Sequence, residues 1–193
     1  NNSGNFRNIG NGGVITGDYI SDHSSVLENE IGASLRIGGR AFLGNSKLKI
    51  LIPDNKENNY GYISETGRKN KIIKADMGIS DNFGEVEVPE LLIPELKYGE
   101  SYVELDIKRK DVSEYAAAVY SLDKTRINSS ENLEQLFRVL DNSYENKEML
   151  VHAAEIQKMN AGELSKALDS ISGQIYASSQ ALTFQQSQAV NRE

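Results

Sequence analysis

Few residues in this chain have the types and spacing that chemistry needs. Histidine occurs only at His23 and His152. His23 stands among Ser21, Asp22, Ser24 and Ser25, the residue types of a nucleophile, a base and an orienting acid. A Ser-His-Asp relay draws its members from separated elements so that each can be aimed independently, whereas these neighbours crowd one turn. His152, between Val151 and Ala153, reads as a packed or surface residue of a helix. No G-x-S-x-G elbow occurs, because Gly32-Ala33-Ser34-Leu35-Arg36 lacks the closing glycine.

Two further patterns fail on order and composition. Ser121-Leu122-Asp123-Lys124 fits S-x-x-K and Ser80-Asp81-Asn82 fits S-D-N, marks of serine enzymes that act on penicillins. Here the S-D-N comes first, and Lys124-Thr125-Arg126 spoils the third mark, K-T-G; chance is the better account. Asp54-Asn55-Lys56-Glu57-Asn58-Asn59 has the composition of a calcium loop, but Lys56 stands where a carboxylate or amide is needed and no glycine follows. Glu85 and Glu87, like Glu104 and Asp106, alternate with apolar residues, the pattern of a solvated sheet face. The sequence therefore assigns no catalytic residue, no metal ligand and no cofactor, and the expectation for this stretch of chain is no enzymatic activity.

The totals narrow the partners. The chain has 193 residues, 38% hydrophobic and 25% charged, enough to bury one or two cores. Lys and Arg number 21 against 28 Asp and Glu, a net charge of −7, which argues against nucleic acid, since phosphate binding wants a basic face. No run approaches the roughly 18 apolar residues of a membrane-spanning helix. The opening NNSGNFRNIGNGG carries no initiator Met and no signal peptide, so the expectation is a piece of a longer protein. There are no cysteines, so a secreted fold would not be stapled, and a chain that must thread a pore would carry no cross-linked loop.

The elements that would position any site fall into two kinds. Residues 10–110 alternate short β-like runs with turns at Gly12-Gly13, Gly38-Gly39, Gly44-Asn45, Pro53-Asp54-Asn55 and Asp81-Asn82. Lys47–Ile52 alternates with Leu48, Ile50 and Ile52 on one face, and Tyr102–Lys108 with Val103, Leu105 and Ile107 inward. Further strands are expected at Gly13–Ile20, Val26–Ile31, Leu35–Ile37, Tyr60–Glu65, Lys71–Ala75 and Gly84–Val88. Tyr60 and Tyr62 flank Gly61; such a strand either stacks in the fold or contacts a glycan or peptide. From Asp111 the period changes. Asp111–Asp123 reads as a helix or a crossing, Asn128 and Glu131 as a capping box before Leu133, Leu136, Phe137 and Leu140, and Tyr144–Met159 as a second helix. Asn160-Ala161-Gly162-Glu163 then stops one helix and caps the next.

That last helix carries a long stripe. Leu164, Leu168, Ile171, Ile175, Ser178, Leu182, Gln185 and Ala189 are three and four apart and line one face. The stripe begins greasy and turns small and polar, which suits a packed surface followed by something narrow or wet. Gly173 inside it costs about 1 kcal/mol relative to Ala in a continuous helix and marks a kink.

Leu168-Asp169-Ser170-Ile171-Ser172-Gly173-Gln174-Ile175-Tyr176-Ala177-Ser178 resembles the segment that joins passenger to outer-membrane β-barrel in type V autotransporters, particularly those with subtilisin-like proteases upstream; it departs from the commonest form at Ile171 and Gln174. A second run, GGVITGDYISDHSSVLENEIG followed by SLRIGGRAFLGNSKLKI, is similar to the end of many autotransporter passengers. The resemblance implies a mainly β N-terminal half, a right-handed β-solenoid end with an autochaperone-like cap at 1–111, followed by an α-helical segment at 112–193. Within the latter, a linker helix at 163–190, carrying Leu164, Leu168, Ile171, Gly173, Ile175 and Leu182, would lead to a barrel. It implies a non-catalytic, secreted segment at the bacterial cell surface that nucleates passenger folding, through Leu48, Ile50, Val103, Leu105 and Ile107. Its partners would be its own outer-membrane barrel and the upstream passenger. The rival expectations are a surface adhesin module with a host ligand, and a fragment of a subtilisin-like serine protease whose catalytic domain lies upstream. The face around Ile175, Leu182 and Phe184 would also suit pairing with a second copy of the excised fragment.

Overall fold

A computed structural model describes residues 4–54, 61–121, 123–143 and 145–172. The chain enters as short strands separated by glycine and asparagine turns. β1 (Asn5–Asn8), β2 (Val14–Ile15) and β3 (Tyr19–Ile20) each belong to a different sheet, and β4 (Val26–Glu30), β5 (Leu35–Ile37) and β6 (Ala41–Phe42) return to the same three in parallel. β7 (Lys47–Leu51), β8 (Arg68–Ala75), β9 (Ile79–Ser80) and β10 (Glu85–Glu87) extend them, and β11 (Leu92–Tyr98) and β12 (Tyr102–Arg109) close the strand region as a hairpin. The sheets run β1-β4-β7-β10, β3-β6-β9 and β11-β12-β8-β5-β2.

Parallel register puts like residues beside like. Phe6 pairs with Leu27, Leu27 with Leu48, and Leu48 with Val86, while Leu35 pairs in parallel with Ile73, which meets Val103 across the antiparallel β8–β12 pair. Leu27, Leu35, Leu48, Ile73 and Val103 are fully buried in one apolar cluster. Each such side chain contributes about 1.5–3 kcal/mol relative to leaving it in water. The turns between strands run close to one another: a Cβ on Gly38 would lie 2.6 Å from the Thr16 carbonyl oxygen, and Gly44, at φ +54°, meets the Ser21 carbonyl.

Of the expected strand Lys47–Ile52, Lys47–Leu51 forms β7 with Leu48 and Ile50 inward, and Tyr102–Lys108 lies within β12, with Val103, Leu105 and Ile107 fully buried. Gly13–Ile20 is two short strands rather than one, since the chain bends between Ile15 and Tyr19. Residues 61–65 form no strand; Ile63 finds its backbone partners in a side chain instead. β11 escapes pattern reading because Pro94 interrupts it. As the margin of its sheet it tolerates a residue with no N–H.

Three helices and the helical residues 161–172 complete the described chain. α1 (Val112–Val119) is capped by Asp111, which accepts from the Ser113 and Glu114 amides. α2 (Lys124–Asn142) is capped by Asp123, not by Asn128. The Asp123 carboxylate accepts from the Arg126 amide, so the helix starts a turn before the expected box, and Ser129 and Ser130 are buried inside it. α3 (Lys147–Lys158) is capped by Asn146. At Asn160 a reciprocal box does form: its Oδ1 accepts from the amides of Gly162 and Glu163, and Glu163 accepts from the Asn160 amide, all at 3.0 Å.

The expected fold class is corrected. The chain is a mixed α/β fold with three mostly parallel sheets, rather than a mainly β solenoid end with an autochaperone-like cap and a helical segment behind it. Three findings carry the correction. Pairing offsets are not a constant repeat: Val26 pairs with Lys47, but Lys47 pairs with Glu85 across a much longer stretch. The largest sheet turns antiparallel at β8, β12 and β11. The helices do not trail from a finished β half, because Tyr62 and Leu91 from the strand region sit inside the helical core with Phe137, Leu150, Leu164 and Leu168. Evenly spaced turn signals are common to many β arrangements, so they do not fix how strands are ordered.

Candidate functional site

The residues singled out from sequence separate into two clusters. Leu48, Ile50, Val103, Leu105 and Ile107 share the sheet core. Leu164 and Leu168 are fully buried in the helical core, and Ile171 is partly buried. Gly173, Ile175 and Leu182, the rest of the proposed linker helix, and Tyr60 lie outside the described residues.

The chemically suggestive groups are not assembled. Asp22 accepts from the Ser24 amide at 2.9 Å and from the Ser24 and Ser25 hydroxyls at 2.7 and 3.0 Å. These bonds hold its carboxyl below the usual range and make the run around His23 a self-satisfied turn. Ser80 ends β9 while Ser121 and Lys124 flank the start of α2. Tyr62 is not on an open strand: it is 4% exposed, and its hydroxyl reaches the Asp141 carboxylate at 2.7 Å and the Phe137 carbonyl at 3.2 Å. Among the described residues no three His, Asp or Glu side chains gather to hold a metal, and no helix is long and apolar enough to cross a membrane.

One built feature is the junction between strands and helices. Arg109, the last residue of β12, is buried and forked onto Glu134 of α2 through two 2.9 Å bonds. The same guanidinium donates to Asp141 at 2.9 and 2.6 Å and lies 5.5 Å over the Phe137 ring. Glu134 also accepts from the Val112 amide and from Arg138. Burial alone would lower the Arg109 pKa, but Asp141 and Glu134 outweigh it and raise it further. Burial, with Asp141 beside it, likewise pushes the Tyr62 hydroxyl well above its ordinary value. Nearby, Gln157 of α3 lays its amide along Ile63, accepting from the Ile63 N–H at 2.9 Å and donating to its C=O at 2.7 Å. This is a side chain acting as a strand.

Sequence reasoning missed Arg109, Glu134, Asp141 and Gln157. A signal existed for two of them. Arg109 continues the inward phase of Val103, Leu105 and Ile107, and Glu134 keeps the helical spacing to Phe137 and Asp141. A charge at an inward position implies a buried partner.

The second built feature is a margin. β1, β2 and β3, the first strands in sequence, are also the end strands of their three sheets. Ile9, Val14 and Ile20 are exposed there, Val14 by 75%. An end strand presents backbone N–H and C=O groups without a strand partner on its outer side. A cavity of about 540 Å³ is lined by residues of the β1-β4-β7-β10 sheet and the end of α3, among them Arg7, Lys49, Lys158, Glu30, Glu87 and Ile52. Lys158 in it is already held by Asp54 and Glu155. No known protein-family model matches the chain, and no curated protein matches it in sequence.

Proposed function

We propose that this chain is a non-catalytic folding template, the packed end of a secreted, autotransporter-type passenger at a bacterial cell surface. The observation that carries the reading is that, among the described residues, the earliest strands, β1, β2 and β3, are each an end strand of one of the three sheets, with Val14 and Ile20 exposed on β2 and β3 and Ile9 exposed just after β1. Ordered strands add more easily to an existing edge than they nucleate one, because the edge has already met the entropy cost of ordering. Away from those end strands, Arg109 ties β12 to α2 and Gln157 ties Ile63 to α3, which anchors the strand region on the helices. The two resemblance runs, 12–50 and 168–178, support the passenger context and the connection to an outer-membrane barrel.

Deleting residues 91–110 from the full-length protein removes the hairpin and Arg109. The upstream passenger is then expected to become protease-sensitive at the cell surface. Intact secretion and full protease resistance after that deletion would overturn the reading.

A further inference from the structure

We infer that the β1 margin selects its incoming strand by a three-residue code: apolar, acidic, amide, in parallel register over Phe6, Arg7 and Asn8. The inference rests on the reading of that margin as a strand acceptor and adds which strand it accepts. Three rows crossing the β1-β4-β7-β10 sheet carry it. The row through Phe6 is apolar throughout, running Leu27, Leu48 and Val86. The row through Arg7 alternates in sign, running Glu28, Lys49 and Glu87 in register. Its ion pairs are Arg7 to Glu28 at 3.5 Å, Lys49 to Glu28 at 3.4 Å and Lys49 to Glu87 at 3.8 Å. The row through Asn8 begins with a buried amide pair, Asn8 Nδ2 donating to Asn29 Oδ1 at 2.7 Å, and turns apolar at Ile50, so its amide character belongs to the β1 side of the sheet.

Among the described residues no strand continues these rows beyond β1. Lys49 sits between two carboxylates, whereas Arg7, 64% exposed, has Glu28 alone among the described residues. Asn8 is 2% exposed and spends one end of its amide on Asn29; among the described residues no second group bonds the other end. An incoming carboxylate would continue the alternation over Arg7, and an incoming amide would satisfy Asn8 whichever way its amide is turned, since an amide both donates and accepts. Backbone pairing supplies attachment without discrimination, and side-chain rows supply the choice. The chain holds one worked instance of the code: Leu27-Glu28-Asn29 of β4, already paired with Phe6-Arg7-Asn8 on the inner side.

A synthetic peptide with the sequence of residues 26–47 presents Leu-Glu-Asn together with the sequences of β5 and β6 and serves as the probe. Added to the folded chain, it is expected to slow hydrogen exchange at the Asn5 and Arg7 amides and to bind at least tenfold tighter than the same peptide with its Glu28→Lys change. Arg7→Glu in the chain should reverse that preference, and Arg7→Ala, which creates no like-charge contact with Glu28, should abolish it. The preference should also shrink at high salt, because the pair is exposed. If both peptides bind and protect β1 equally, the code is wrong while the margin still accepts strands. If neither peptide binds or protects β1, the acceptor reading itself fails.

Discussion

The Arg109 guanidinium and the Glu134 carboxylate meet as a fork on a fork, Nη1 to Oε2 and Nη2 to Oε1, both at 2.9 Å. One partner ends the last strand and the other lies midway along α2, and each side chain is at most 4% exposed. Planar, two-bond geometry fixes orientation as well as distance, so this pair sets how the helical layer sits on the strand region.

Arg109→Ala is therefore expected to destabilise the chain by about 3–5 kcal/mol, because Glu134 and Asp141 would keep their buried charges without a partner. Arg109→Lys should recover part of that loss but not the fork, since an ammonium has no planar pair of donors. Urea unfolding followed by circular dichroism measures both. A change below 1 kcal/mol for Arg109→Ala would show the network to be dispensable.

Gln157→Leu keeps the volume of the side chain and removes both bonds to Ile63. Leaving a buried N–H or C=O unsatisfied costs about 1–3 kcal/mol, and the Ile63 amide should lose its exchange protection well before those of β12. Amide exchange by NMR checks this. Uniform loss of protection across the chain would mean that Gln157 acts on global stability alone.

Stability should fall as the solution turns alkaline. Tyr62 is held protonated in the folded chain, by burial first and by Asp141 second, whereas an unfolded tyrosine ionises near pH 10. A folded-state pKa above the unfolded value contributes stability that is complete below about pH 10 and is lost as pH rises toward the folded value. Tyr62→Phe should flatten that alkaline decline while lowering stability at pH 8, where the bonds to Asp141 and Phe137 are lost. Unfolding midpoints between pH 8 and 11 decide it.

The acid limb has the opposite sign. At Asp111 burial raises the carboxyl pKa, but bonds from Ser113, Glu114 and Arg138 outweigh it and hold it low. Bonds from Lys47 hold Glu87 low despite slight burial. Their contribution is complete above the ordinary carboxylate range and fades as pH drops through their lowered values. Asp111→Asn should make the acid transition shallower, as read by fluorescence-monitored acid titration.

Gly44→Ala is expected to cost about 1–3 kcal/mol, as other overpacked sites do. The backbone there is left-handed at φ +54° and the new methyl would meet the Ser21 carbonyl. Asn45, the next residue, already holds φ 55°, which asparagine tolerates better than most. Thermal unfolding of Gly44→Ala beside Gly17→Ala, where a Cβ meets nothing within 4 Å, separates crowding from general loss of glycine.

Much of the local structure was written in the residues. Alternation at Lys47–Ile52 and Tyr102–Lys108 determined two strands and which faces they bury, because period two admits one inward set. Asn160 and Glu163 determined a helix start, since the cap needs only residues three apart. Leu164 and Leu168 announced a buried stripe for the same local reason. What the tertiary structure alone decided is how those pieces meet. No local pattern tells that β5 pairs with β8 rather than β7, that Tyr62 and Leu91 join the helical core, or that Gln157 completes the backbone of Ile63. Such contacts join residues far apart in the chain, and their energy exists only once burial strips away water and leaves each polar group one remaining partner.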